Sequence, residues 1–286
     1  MPTLRKTLLT WLQAAAAALQ FFTRLPVPYR FEYTPRVFRL SVVFYPAAGG
    51  IIGLLIGLFW YGAGLVLPAG PAAALTLILW VALTGGLHLD GWMDAADGLL
   101  SHRPPERMLE IMKDSRVGAM GVMAAVLLLL AKFSFLTALP RSAVDGKLFL
   151  AVLPVWSRWW MTVCMAGWPY ARKESGLGSL FRGVGRAEVA VSWAMAAFAT
   201  FALTGLGRVA AGSGAGAFGS APWPVTALAL TLGSTLLCVL FGWPAARAIS
   251  RKLGGLTGDL YGAMNEGLEA LLLLAAVAAC SGLGYA

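Results

Sequence analysis

Seven long apolar stretches separated by short polar ones organise this sequence, at about 41–66, 71–89, 118–138, 148–168, 189–206, 224–243 and 267–285. Each is close to the length that a helix rising ~1.5 Å per residue needs to cross ~30 Å of hydrocarbon. Lipid offers backbone polar groups no partner, so such segments are predicted as helices. The expected fold class is all-α: a polytopic helical integral membrane protein with about seven transmembrane helices. Ahead of them, Leu4, Leu8, Trp11, Leu12, Leu19 and Phe22 alternate with Arg5, Lys6 and Gln13 at helical spacing. That pattern predicts an N-terminal interfacial helix over 4–22. Arg5-Lys6 before an alanine run also imitates a cleaved signal peptide, and the retained helix is the preferred reading of the two.

Composition agrees with the pattern. The chain is 59% hydrophobic and 12% charged, with a mean hydropathy of +0.75, whereas soluble domains carry about 25% charged residues. No linker or second soluble segment is visible, so 1–286 reads as a single membrane domain. The net charge of +9 raises the question of nucleic acid, and its distribution answers it. With the N-terminus placed in the cytoplasm, seventeen of the 22 Lys and Arg residues fall before the first span or in 90–117, 169–188 and 244–266. Arg141, Lys147 and Arg208 are on the opposite side, and Lys132 and Arg158 lie within spans. This positive-inside bias predicts a multi-pass protein of the cell (inner) membrane, with the lipid bilayer rather than nucleic acid as its partner. Cys164, Cys238 and Cys280 sit in separate apolar runs without paired spacing, which argues against a disulfide framework or zinc site. Gly49, Gly53 and Gly57 share one helix face and predict close helix packing. The Gly, Ala and Ser-rich stretch 205–221 reads as a flexible external connection.

Against this apolar background, residues 85–121 hold six of the thirteen acidic residues: Asp90, Asp94, Asp97, Glu106, Glu110 and Asp114. Asp90, Asp94 and Asp97 fall within about 60° on one helix face. A helix continuing outward from residue 89 would present all three carboxylates at the cytoplasmic mouth. Three such charges repel unless a cation sits among them. Oxygen ligands without Cys, in a chain with two His, favour Mg²⁺ or Mn²⁺ over zinc. The plainer reading is a solvated helix end whose acids pair with Arg103, Arg107 and Lys113; three acids on one face of so apolar a chain make it the weaker one. In Lys113-Asp114-Ser115-Arg116, Arg116 suits bidentate phosphate binding, while Lys113 reads equally as a phosphate contact or a membrane anchor. Asp114 is a further metal ligand or a base. His88 lies away from the Asp trio on the helix and reads as a hydrogen-bonded packing residue.

Two more segments on the same side have site-like composition. Tyr170-Ala171-Arg172-Lys173 precedes Gly176-Leu177-Gly178-Ser179-Leu180-Phe181. Gly254-Gly255-Leu256-Thr257-Gly258-Asp259 leads through Tyr261-Gly262-Ala263 to Asn265-Glu266 and Glu269. Asp259 and Glu266 can share a helix face, and Glu269 adds an acid at the start of the last span, where it is costly unless it pairs.

Taken together, these blocks resemble the cobalamin synthase family, the membrane adenosylcobinamide-GDP ribazoletransferases. The resemblance is carried by Phe22-Thr23-Arg24-Leu25-Pro26-Val27-Pro28 and by Gly85-Gly86-Leu87-His88-Leu89-Asp90-Gly91 with Asp94, Ala96, Asp97 and Gly98. It continues in Glu110-Ile111-Met112-Lys113-Asp114-Ser115-Arg116-Val117-Gly118, Tyr170-Ala171-Arg172, and Gly254 to Asp259 with Gly262, Ala263 and Glu266. Trp92-Met93 departs from the smaller residues expected there and leaves the ligand positions intact. The resemblance implies joining adenosylcobinamide-GDP to α-ribazole or its 5′-phosphate, with release of GMP by Mg²⁺-dependent phosphoryl transfer. It implies Asp90, Asp94 and Asp97 as metal ligands, with Asp94, Asp97 and Asp114 the candidate catalytic residues. Lys113, Arg116, Arg172, Asp259, Asn265 and Glu266 are the candidate substrate-binding residues. Small-molecule substrates are the implied partners, with room for homo-oligomers or for association with other membrane proteins of the cobalamin pathway.

Two rival readings are weaker. Asp94-Ala95-Ala96-Asp97-Gly98 matches the start of a CDP-alcohol phosphatidyltransferase signature, but Ser101-His102 replaces the Ala-Arg expected next. A transporter needs charge near the midplane within broken helices; only Lys132 and Arg158 qualify, and long basic side chains can snorkel.

Overall fold

A computed structural model describes residues 2–27, 34–140, 144–172, 181, 183–211 and 222–282. Pro28, Lys173, the run 176–180 and most of the connection 205–221 lie outside the described residues. The chain is helical nearly throughout: α1 (Pro2–Phe22), α2 (Pro35–Ser41), α3 (Tyr45–Val66), α4 (Ala69–Thr84), α5 (Leu87–Leu99), α6 (Pro105–Ile111), α7 (Ala119–Ala138), α8 (Val144–Gly167), α9 (Arg186–Ala211), α10 (Trp223–Leu237), α11 (Trp243–Leu253) and α12 (Gly258–Gly282).

Six helical stretches are long and apolar enough to cross a membrane; α4 and α5 pass the same test only as a pair, with a 90° bend between them. Leu54, Leu58, Ile78, Leu127, Phe198 and Leu236 are among the apolar side chains on the outside of the bundle, as a protein surrounded by lipid requires. The centre is α8, whose Trp156, Ser157, Arg158 and Trp160 are wholly enclosed. Helix α3 crosses it at Gly49 and Gly53, where a Cβ would overlap the carbonyls of Pro154 and Ala151. The small-residue spacing in α3 therefore serves close packing. Helix α1 docks through its buried alanines Ala14, Ala17 and Ala18 and through Phe22, whose ring meets Tyr45 at 4.5 Å.

Two boundaries differ from those expected. The second span ends at Thr84, and the helix does not run on outward to carry the acids. Gly85 and Gly86 take φ of 64° and 71°, left-handed values that only glycine adopts without strain. They stop α4 and let α5 restart at right angles to it. The last helix begins at Gly258, because Thr257 Oγ1 accepts from the Leu260 N–H and caps it. Asn265, Glu266 and Glu269 therefore sit inside α12.

Beneath α5, four ionised side chains share the interior. Lys132 on α7 binds Glu266 at 2.5 Å and Glu269 at 2.7 Å, and Arg158 on α8 pairs with Glu269. Lys132 also stands 4.6 Å from the Trp80 ring centre. Two cations and two anions cancel, which is how buried charge is tolerated. Lys132 and Arg158 do not snorkel; both are buried in this network.

Candidate active site

The acidic helix is clamped at both ends. Gly91 packs so closely on α12 that a Cβ would lie 2.6 Å from the Asp259 carbonyl oxygen. Helix α7 has no capping side chain of its own at Gly118. Asp97 supplies the cap from α5, accepting the N–H groups of Gly118 and Gly121, each at 2.8 Å. Those are orphan donors at a helix N-terminus, where a carboxylate is favoured by the hydrogen bonds and by the helix dipole.

Asp94 lies between these anchors. Partial burial, and then the carboxylates of Asp90, Asp259 and Asp97, push it up from 3.8 to about 7, against a smaller lowering by Arg172. Asp90, Asp94, Asp97 and Asp259 thus form one anionic neighbourhood, offset in part by the Arg172 guanidinium. Arg172 donates to Asp259 at 2.7 Å. It is held there by a two-bond bridge in which Ala171 N–H donates to Leu256 O and Leu256 N–H to Pro169 O, both at 2.9 Å. Lys252 on α11 reaches the Leu99 carbonyl at 3.3 Å. In this way 90–117, 169–172 and 244–266 meet at one end of the bundle. A cavity of about 240 Å³ opens among them, lined by His88, Asp90, Tyr170, Arg172, Asp259 and Tyr261 together with apolar side chains from α1 and α8.

The other expected residues are placed less centrally. Lys113 and Arg116 are exposed on the turn before α7, and Arg116 forks onto Asp114 with bonds of 2.7–3.2 Å. That fork, together with the Arg116 N–H, holds Asp114 down at about 2. None of the three lines the cavity. Asn265 and Glu266 are buried behind its wall, where Asn265 bonds His88 and Glu269 and Glu266 bonds Lys132. Conversely, His88 lines the cavity beside Asp90.

A model of the cobalamin-5-phosphate synthase family matches residues 14–277. The chain belongs to that family. It is 42% identical to the adenosylcobinamide-GDP ribazoletransferase of Brevibacillus brevis, over 91% of this chain and 96% of that protein. The enzymes of the same name from Desulfitobacterium hafniense and Geotalea daltonii are 40% and 39% identical, over 96% and 91% of this chain and 98% and 95% of theirs. No solved structure matches the chain.

The family's cobalamin chemistry poses a question of charge that the site can be tested against. Among the described residues no three His, Cys, Asp or Glu side chains converge tightly enough to enclose a metal ion. Mg²⁺ rarely uses an all-protein cage; it takes one or two carboxylates, several waters and phosphate oxygens from the substrate. The donor chemistry fits that mode: oxygen only, with Asp94 raised by burial and by three neighbouring carboxylates that Arg172 offsets only in part. His88 is the hydrogen-bonded, buried residue expected from the sequence, bonded to Asn265 and close to Arg158; what the sequence did not show is that α12 and α8 also bring it to the lining of a cavity.

Proposed function

We propose that this chain is an adenosylcobinamide-GDP ribazoletransferase acting at the acidic end of the bundle, on the cytoplasmic side of the cell membrane with the N-terminus cytoplasmic. The observation that carries this reading is the carboxylate group of Asp90, Asp94, Asp97 and Asp259, acting on one another electrostatically, with Asp90, Asp259 and Arg172 lining one cavity. Phosphoryl transfer asks a protein mainly to position the reactants and to balance charge, and this arrangement does both.

In the reaction, an acceptor ribose hydroxyl attacks the phosphorus bound to cobinamide. The new P–O bond forms as the pyrophosphate P–O bond breaks, and GMP leaves with the electron pair. Asp90, which lines the cavity together with Asp259, takes the hydroxyl proton. Arg172 offers a planar fork to the phosphate oxygens and is kept at the mouth by Asp259. Asp94 would hold Mg²⁺ together with waters and phosphate oxygens of the substrate, and the ion would supply neutralisation of the pyrophosphate charge. Asp97 keeps α5 and α7 in register, so that Asp94 stays fixed. Lys113 and Arg116, on the turn that Asp97 anchors, draw the anionic donor in.

Purified protein in lipid, given adenosylcobinamide-GDP and α-ribazole, is expected to release GMP only with both present and to form a cobalamin product. Solute flux without GMP, or CMP release from a CDP-alcohol, would overturn the reading.

A further inference from the structure

Behind the cavity wall, the buried network fixes which ring nitrogen of His88 carries its proton. Asn265 Nδ2 lies 2.9 Å from His88 Nδ1 and 3.3 Å from Glu269 Oε1. Glu269, paired with both Lys132 and Arg158, is an ionised acceptor. It fixes the amide with nitrogen towards it, because the reverse would set oxygen against carboxylate. Arg158 Nη2 also points at His88 Nδ1, at 3.5 Å. With donors on that side, Nδ1 is a lone-pair acceptor and the imidazole proton resides on Nε2. His88 is 2% exposed, it lines the cavity, and its Nε2 has no partner among the described residues. A buried N–H left unpaired is costly, so it marks a place where a ligand atom belongs. This nitrogen has no lone pair to offer and cannot act as a base; it can only donate.

Its surroundings narrow the ligand. Phe21, Met161, Met165 and Tyr261 line the same cavity, and the Phe22 ring lies 5.3 Å from the imidazole. Two other residues of the lining, Tyr170 and Arg172, also carry a buried polar atom without a partner among the described residues, Oη and Nε, while Arg172 Nη2 bonds Asp259. At about 240 Å³ the space excludes a corrin macrocycle and suits a two-ring base with part of its sugar. Guanine would need a carboxylate for its N1–H and N2–H₂ donors, and of the two in the lining Asp259 is bonded to Arg172 while Asp90 serves the acceptor hydroxyl in the reaction above. A benzimidazole riboside is flat and apolar and keeps one ring-nitrogen lone pair after its glycosidic bond is made. We propose that the cavity holds the acceptor's base, with His88 Nε2–H donating to that free ring nitrogen and the sugar directed at Tyr170 and Arg172. This rests on the transferase reading above. It makes His88 the residue that selects the acceptor, with Asn265 and Glu269 setting its tautomer.

The chain contains two histidines, so full-length protein labelled with ¹⁵N-histidine in lipid nanodiscs gives few imidazole signals to assign. The expected spectrum shows His88 protonated at Nε2 and bare at Nδ1, and α-ribazole alone shifts Nε2–H saturably while GMP does not. Protonation at Nδ1, or a shift with GMP and none with α-ribazole, would overturn the proposal. In steady state, His88→Leu is expected to raise KM for α-ribazole about ten-fold with KM for adenosylcobinamide-GDP unchanged. His88→Gln, which keeps a donor at similar reach, recovers most of the loss. A His88→Leu effect confined to the donor's KM would reject the acceptor pocket alone. Absence of GMP from the folded wild-type protein would reject the transferase reading itself.

Discussion

Asp94 and Asp97 are three residues apart on one helix, and the structure gives their charges opposite effects on stability. Asp97 accepts two N–H groups of α7, each at 2.8 Å. Asp97→Asn keeps one acceptor oxygen and turns an NH₂ towards the other donor. Bonds to a charged acceptor contribute about 1.5–3 kcal/mol, and the dipole interaction adds about 0.3–1 kcal/mol. The site is partly exposed, so the expected loss is about 2 kcal/mol. Asp94→Asn removes a carboxylate that burial and three like charges disfavour. Because Asp94 is only partly buried, solvent screening reduces the gain to about 1 kcal/mol. Its raised value of about 7 also fixes the sign of the pH dependence. The stability that protonation of Asp94 provides is fully present below the ordinary value of 3.8 and is lost as pH rises through about 7. In chelator at about pH 8, then, Asp94→Asn outlasts the wild type, and the difference fades as pH falls through 7 towards 4. The eleven tryptophans make intrinsic fluorescence a suitable readout of unfolding in lipid. An Asp97→Asn protein as stable as wild type, or an Asp94→Asn protein less stable than wild type in chelator, would refute this division of roles.

Lys132→Met leaves Glu266 and Glu269 short of a cation, and breaking a buried pair in this way costs about 3–5 kcal/mol. Adding Glu266→Gln restores neutrality, and unfolding of the double variant is expected to recover most of the loss. Gly91→Ala places a Cβ 2.6 Å from the Asp259 carbonyl oxygen; it pushes α5 off α12 and is expected to cost about 1–3 kcal/mol together with most of the turnover. Arg172→Lys keeps the charge and loses the planar fork, so KM for adenosylcobinamide-GDP is expected to rise several-fold, with a larger rise for Arg172→Ala. In both Arg172 variants KM is read from initial rates of GMP release.

The apolar periods were enough to read the membrane bundle from the sequence, because twenty-residue runs have few other uses. The acid trio stood out for the same reason: carboxylates are conspicuous in so apolar a chain. Gly85-Gly86 was visible as a motif, but its consequence was not. A double glycine permits a bend without dictating one, and only packing of Gly91 on α12 commits α5 to its direction. Glu266 and Glu269 looked like site acids because no local spacing joins them to Lys132, 134 and 137 residues away. The Asp97 cap on Gly118 is 21 residues distant and equally invisible to a reading of helix faces. His88 is the hydrogen-bonded packing residue expected, but the cavity it also lines is built by α1, α8 and α12, none of them close in sequence.

The central claim is that the carboxylates of α5 serve Mg²⁺-dependent phosphoryl transfer, and one titration tests it most directly. Initial rates of GMP release from adenosylcobinamide-GDP and α-ribazole are measured against Mg²⁺ for wild-type and Asp94→Asn protein in the same lipid. The account predicts saturable activation of the wild type, none in chelator, and turnover of Asp94→Asn reduced at least about 100-fold and worst at limiting Mg²⁺. Near-full turnover of Asp94→Asn at limiting Mg²⁺, or wild-type activity that survives chelation, would contradict it.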